Sequence, residues 1–89
     1  MHEFSLLANL LRKIEDTARR ENASKVVKVS VKIGALAHIS GSHFREHFEH
    51  AVRGTISEGA HLEITEDSNP HAPDAQSILL LEIEVEDEV

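Results

Sequence analysis

The 89-residue sequence contains no cysteine, tryptophan or tyrosine, and each absence narrows what the protein can be. Without cysteine the chain has no disulfide, no thiolate zinc site and no cysteine nucleophile. Its aromatic residues are three phenylalanines, so the core is expected to be built from leucine, isoleucine and valine. A chain of this length forms one domain, residues 1–89, with an economical core.

Basic residues are also scarce, since 9 Lys and Arg stand against 16 Asp and Glu and leave a net charge of -7. So few cations cannot form a continuous basic face, which argues against nucleic-acid binding. No apolar run approaches the ~20 residues of a membrane span. No charged-then-apolar leader opens the chain. We therefore expect a cytoplasmic protein that binds neither nucleic acid nor membrane.

Hydrophobic periodicity predicts two helices. The first runs from about Glu3 to Arg20, where leucines, Ile14 and Ala18 recur at helical spacing. The second runs from about Ser42 to Arg53, with a serine-glycine-serine cap before it and Gly54 after it. Its predicted apolar face consists of Phe44, Phe48, Ala51 and Val52.

Three segments that alternate apolar and polar residues predict strands at 25–33, 60–66 and 78–86. The residues predicted to face inward are Val27, Val29, Val31 and Ile33 in the first strand, Leu62 and Ile64 in the second, and Leu79, Leu81, Ile83 and Val85 in the third. The proline-containing segment 67–77 is predicted to be a loop. Two amphipathic helices must cover the dry face of the sheet, so the fold class is α/β (α+β), a two-layer sandwich of two helices on a three-stranded sheet.

The amino terminus, Met1-His2-Glu3, carries a metal-binding pattern. The α-amine of Met1 and the amide and imidazole nitrogens of His2 can reach one ion and close small, nearly planar rings. This arrangement suits Ni(II) or Cu(II) better than Zn(II), which prefers a tetrahedron. The amide must lose its proton, so affinity should rise with pH. The alternative is a terminus with no role.

Three of the seven histidines lie in the second predicted helix. His43, His47 and His50 fall at i, i+4 and i+7 and therefore form one stripe. Such a stripe could bind nickel, zinc or copper or respond to pH, whereas the simpler interpretation is a solvated flank. His38 follows the first strand and could approach the amino terminus, while His61 and His71 are expected to be exposed.

His43 to His47 also spells H-x-x-E-H, the arrangement of a zinc peptidase. A domain this small offers no obvious substrate cleft or further acidic ligand, so a chance match is the better interpretation. No Ser/His/Asp order, phosphate-binding glycine loop or nucleotide fingerprint is present. The glutamates of the third strand are interpreted as a solvent face. No catalytic residue is therefore assigned, and the protein is not expected to be an enzyme.

Five short motifs occur in a fixed order along the chain. They are Met1-His2-Glu3-Phe4-Ser5-Leu6, Val31-Lys32-Ile33-Gly34-Ala35-Leu36, Arg53-Gly54-Thr55, Glu58-Gly59-Ala60-His61-Leu62-Glu63-Ile64 and Ile83-Glu84-Val85-Glu86. Together they resemble HypA/HybF, the nickel-insertion accessory proteins of NiFe hydrogenase maturation. The resemblance implies the family's nickel-binding domain, with His2 as the key Ni(II) ligand and Met1 and Glu3 contributing main-chain nitrogens.

The sequence departs from this family in two places. The family normally inserts a zinc domain with two CxxC pairs before the last strand, and here the segment 67–77 stands in its place, without a zinc site. The family often has acidic residues where the second helix begins, and here that position reads Ser40-Gly41-Ser42. His38, or the helix-two histidines His43, His47 and His50, could serve as auxiliary metal ligands instead.

Two hypotheses follow. The first is a nickel-binding metallochaperone, which the resemblance pairs with a maturation GTPase and the large subunit of a nickel enzyme. The second is a metal-independent interaction module that still docks these partners after losing metal delivery. Both a monomer and a homodimer are compatible with a sheet that has an open edge.

Overall fold

The computed structural model describes residues 2–87, and for residues 2–5 it describes the helical backbone alone. The elements are α1 (His2–Arg20), β1 (Ala23–Ile33), α2 (Gly41–Ala51), β2 (His61–Glu66) and β3 (Ile78–Asp87). The predicted order of helices and strands and the α+β class are therefore confirmed.

The three strands form one mixed sheet in the order β2-β1-β3. The edge strand β2 pairs parallel to β1, and the other edge strand β3 pairs antiparallel to it. Parallel neighbours need a crossover connection, which here contains α2.

Helix α1 packs on the sheet through residues spaced along one face. Leu7, Leu10, Ile14 and Ala18 are all buried, at spacings of three or four residues that bring side chains to the same side of a helix. The helix ends at Arg20, and two residues later Asn22 adopts a left-handed conformation with φ of 54°. Asparagine tolerates this conformation better than most residues, so it suits the position after a helix.

Three predicted inward positions, Val27, Leu79 and Leu81, are wrong, and β-bulges are the reason. In β1 the register with β3 shifts between Val26 and Lys28, so Val26 is fully buried and Val27 only partly. In β3 the register jumps from Glu82 to Leu80, which leaves Leu81 54% exposed. An inserted residue reverses the alternation of faces beyond it.

The remaining inward positions of the three strands can be compared with the prediction one by one. In β3 the residues that contact the core are Ile78, Leu80, Ile83 and Val85. The predicted inward positions Ile83 and Val85 are therefore confirmed, whereas Leu79 and Leu81 do not contact the core. The remaining predicted core positions are confirmed: Val29, Val31, Ile33 and Leu62 are buried, and Ile64 packs against them.

Helix α2 buries Phe44, Phe48 and Val52, which follow a line at i, i+4 and i+8. Ala51 lies to the side of this line and is exposed, so its predicted place in the core is wrong. The helix ends at Ala51, two residues earlier than predicted. Gly54 follows with a positive φ of 77°, a conformation that glycine adopts without strain.

The start of α2 is capped by residues from two parts of the chain. The predicted cap is confirmed, since the Ser40 hydroxyl accepts a hydrogen bond from the His43 amide at 3.1 Å. The Gly41 amide donates to the carboxylate of Glu66 at 3.1 Å. A carboxylate therefore does lie at this helix terminus, where it complements the helix dipole, but β2 supplies it.

The segment 67–77 is bonded to the end of β1 along its backbone. The Asp67 amide donates to the Ile33 carbonyl at 2.9 Å, and the Gly34 amide donates to the Ser77 carbonyl at 2.9 Å. The Leu36 amide donates to the carbonyl of the buried Ala75 at 2.7 Å. The predicted loop is thus present and packed.

Lys32 joins the two halves of the same segment. Its Nζ lies 3.1 Å from Asp74 Oδ2 and 3.7 Å from Asp67 Oδ2. The hydrogen bond to Asp74, with the charges of both aspartates, raises the pKa of Lys32 above its ordinary value, although partial burial opposes the shift.

Candidate metal centre

Helix α1 begins at His2, in the pattern that the sequence singled out for metal binding. The first four N–H groups of an α-helix have no acceptor within the helix, so the amides of His2 and Glu3 can bind a metal without breaking a helical hydrogen bond. Met1 and the side chains of His2 and Glu3 lie outside the described residues. The chelate at Met1, His2 and Glu3 therefore stays a prediction.

His38 lies in the turn between β1 and α2, with φ of 63° and an exposed side chain. Together with Leu36, Ala37 and Gln76 it lines an open cavity of about 280 Å³. Its predicted approach to the amino terminus stays a prediction, because the side chain of His2 is not described.

The histidine stripe of α2 contains one close pair. His43 Nε2 and His47 Nε2 lie 2.9 Å apart, and the ring centroids are 4.5 Å apart at an interplanar angle of 40°. This is hydrogen-bond distance, so one imidazole donates its Nε2 proton to the other. His50 is exposed one turn further along the helix. The structure thus brings two of the three predicted residues together.

Among the side chains that the structure describes, those of residues 6–87, no group of three or more His, Asp or Glu residues is placed to share a metal ion. The H-x-x-E-H pattern therefore contributes two adjacent histidines, and no third ligand from the described part of the chain joins them.

The open face of the sheet holds a cluster that sequence reasoning missed. Glu63, Glu82 and Glu84 come from two strands, and a carboxylate oxygen of each lies 3.7, 3.6 and 3.5 Å, respectively, from Lys28 Nζ. The charge of Glu63 is the main reason that the pKa of Lys28 is raised, with Glu84 and Glu82 adding to it and partial burial opposing it. Only the strand register reveals this cluster, in which a lysine is the central cation.

The two remaining histidines lie apart from these groups. His61 is exposed at the start of β2, and His71 is exposed in the segment 67–77, where its amide donates to the Asn69 side chain at 3.0 Å. Both placements confirm the sequence expectation.

The fold defines a class of small α+β domain, in which two helices pack on a three-stranded mixed sheet. Residues 1–71 match the sequence model of a family described as "Hydrogenase/urease nickel incorporation, metallochaperone, hypA". The chain therefore belongs to the HypA family.

Individual relatives agree with this assignment. The chain is 45% identical over 64 residues to the hydrogenase maturation factor HypA of Dechloromonas aromatica, covering 72% of this chain and 57% of that protein. It is 44% identical over 62 residues to the HypA of Aquifex aeolicus, covering 70% and 54%. The chain thus matches little more than half the length of these curated relatives.

Solved structures share the fold. The solution structure of the Ni metallochaperone HypA from Helicobacter pylori superposes with a TM-score of 0.78 at 23% identity, covering 99% of this chain and 100% of that one. A second solution structure of a HypA protein superposes with a TM-score of 0.73 at 24% identity, covering 99% and 98%. The two-layer fold predicted from the sequence is therefore confirmed.

In the part of the chain that the structure describes, none of the helices is long and apolar enough to cross a membrane.

Proposed function

We propose that this chain binds Ni(II) at its amino terminus and delivers it during the maturation of a nickel enzyme such as NiFe hydrogenase. Membership of a family described by nickel incorporation is the observation that carries the proposal. The Met1-His2-Glu3 sequence and the start of α1 at His2 support it further.

The ligands would be the imidazole of His2 and the main-chain nitrogens of Met1, His2 and Glu3. Four nitrogens around one ion favour a planar geometry, which Ni(II) accepts. The participating amides release their protons when the metal binds, so affinity rises with pH and falls as protons return. A site at a chain terminus can open without disturbing the core, which suits a carrier that must release its metal.

The proposed role is that of a carrier, and no catalytic residue is assigned to the chain. The proposed partners are a maturation GTPase and the large subunit of the receiving enzyme, both taken from the family resemblance. A cytoplasmic location and the choice between monomer and homodimer remain predictions.

We further propose that the segment 67–77 occupies the place of the family's zinc domain. The absence of cysteine supports this, because the segment offers none of the thiolates of a CxxC pair. The backbone bonds of Asp67, Gly34 and Leu36 close the gap between β2 and β3.

A second candidate function is a metal-independent module that docks the same partners. Two observations favour it: the absence of the zinc ligands, and the position of β2 and β3 at the edges of the sheet, where another chain can pair. Pull-down of a maturation GTPase with and without nickel separates the two functions, since only the carrier requires the metal.

The deciding experiment is an Ni(II) titration of untagged protein whose free Met1 amine has been verified by intact mass. Absorption should detect one equivalent of yellow, planar Ni(II), with affinity that rises with pH. His2→Ala should abolish this complex. His61→Ala removes an exposed histidine far along the chain and should retain it. Thermal unfolding without metal should be the same for all three proteins.

Unchanged binding in His2→Ala would contradict the terminal site. Absence of binding in the parent protein, with partner binding retained, would favour the metal-independent module.

A further inference from the structure

We propose that His43 and His47 form a second metal-binding site, which takes a divalent ion such as Cu(II) or Ni(II) on the outside of α2. This site lies beyond the proposed function, because it uses neither the amino terminus nor a family motif. It is carried by the contact between the two imidazoles, whose Nε2 atoms are 2.9 Å apart.

The separation of the two nitrogens fits a chelating pair. Imidazole nitrogens bind such ions at about 2.0–2.1 Å, so two of them 2.9 Å apart subtend an angle of roughly 90° at the metal. That is the angle between neighbouring ligands in square-planar or tetragonal coordination, which Cu(II) and Ni(II) adopt. A tetrahedral Zn(II) requires the nitrogens to separate to about 3.3 Å.

The protonation of the pair is also suitable. A contact between two Nε2 atoms requires one to donate and the other to accept, so at least one ring is neutral. When a metal binds between two neutral rings, the ring that donated the hydrogen bond changes tautomer, and its proton moves from Nε2 to Nδ1. Both Nε2 lone pairs then bind the metal, and no net charge is lost from the rings.

The core holds the backbone of both ligands in place. His43 and His47 each directly precede a buried phenylalanine, Phe44 or Phe48, and both of these are only 1% exposed. The amide of His43 also donates the capping hydrogen bond to Ser40. The two Cα positions are therefore fixed before a metal arrives, and only side-chain torsions need to adjust, which lowers the entropic cost of binding.

The chemistry of the pair predicts a rapidly exchanging site. Two imidazoles leave coordination positions for water or for a donor on another molecule, so the ion is accessible to exchange. The chain's net charge of -7 raises the local concentration of cations. Affinity should follow the order Cu(II) above Ni(II).

The test uses the full chain with His2→Ala, so that the terminal site is silent. Cu(II) and then Ni(II) are titrated by calorimetry, and paramagnetic broadening of amide signals by Cu(II) locates the site. We expect binding, with broadening centred on residues 43–47. Adding His43→Ala or His47→Ala should weaken binding by about tenfold or more, because a chelate becomes a single ligand. Adding His61→Ala is the matched control and should leave binding unchanged.

Broadening centred elsewhere, or equal affinities with and without His43 and His47, would overturn the proposal. So would the absence of any binding to the His2→Ala protein. If a double variant failed to fold, the broadening map of His2→Ala alone would decide. The proposed function is judged separately, on the parent protein, so the two can fail independently.

Discussion

Gly34 directly follows β1, and the backbone of the segment 67–77 passes close to its Cα. A Cβ at this position would lie 2.6 Å from the Asp74 carbonyl oxygen and still closer to the Ala75 carbonyl. These are backbone atoms held by the hydrogen bonds of the segment, so they cannot move away cheaply. We predict that Gly34→Ala lowers the free energy of unfolding by about 1–3 kcal/mol, as measured by urea denaturation.

Gly41→Ala is the control for this prediction. A Cβ there would meet Glu66 Oε1 at 3.0 Å, which is the end of a side chain that can turn aside. Alanine also favours the helix, so the net change should stay within about 1 kcal/mol. Equal losses in the two variants would show that the close approach at Gly34 is not the cause.

At the level of single residues, the sequence predicted which histidines share the face of α2 but not which of them touch. Helical spacing places His43, His47 and His50 in one stripe, since it depends only on backbone geometry. The 2.9 Å contact between two of them depends on side-chain torsions, which no sequence pattern encodes. The meeting of Lys28 with three glutamates could not be predicted either, because it depends on the strand register.

The bulge of β1 can be tested by replacing each of two neighbouring valines with threonine. Val26 is fully buried and Val27 partly buried, although simple alternation predicts the reverse. Threonine keeps the branched shape and adds a hydroxyl, which costs about 1–3 kcal/mol when it is buried without a partner. We therefore predict that Val26→Thr lowers the free energy of unfolding by this amount and that Val27→Thr lowers it by much less.

Urea denaturation of the two variants measures the difference directly. If Val27→Thr lowered the free energy of unfolding more than Val26→Thr, the strand would follow regular alternation and the bulge would be refuted.

The sequence predicted all five elements because each carries a clear period, near 3.6 in α1 and α2 and near 2 in the strands. It misplaced the inward residues at Val27, Leu79 and Leu81 because a bulge is a property of two paired strands. The register of that pair depends on residues some 60 positions apart, which no local pattern connects. Ala51 was misplaced because periodicity cannot say how wide a stripe the sheet will cover.

Two of the molecule's four lysines, Lys28 and Lys32, lie among carboxylates, and this affects the stability of the whole molecule at high pH. The pKa values of Lys28 and Lys32 are raised in the folded protein. Above pH ~10.4 the unfolded chain loses these protons while the folded chain retains them. The folded state then binds more protons than the unfolded state. These two lysines should therefore leave the free energy of unfolding unchanged up to about pH 10 and should lower it as the pH rises further.

Urea midpoints between pH 9 and 12 measure this effect. Lys28→Met should reduce the fall, since it removes one of the two groups responsible. Lys13→Met, on the exposed side of α1, is the matched control and should keep the parent's profile. A midpoint that rises above pH 10.5 in the parent would contradict the assignment.

The strand pairing around Ile33 makes the connection between β2 and β3 a suitable place for the insertion of a domain. Ile33 is paired with Glu66 on one side and Ile78 on the other, so the chain leaves and re-enters the sheet across a single residue. Two strand spacings, about 10 Å, separate the exit from the entry. A domain whose own ends lie that far apart can be inserted or removed here without a change in the positions of the strands. We therefore predict that the gain or loss of a whole domain between β2 and β3 leaves the two helices and the sheet in place.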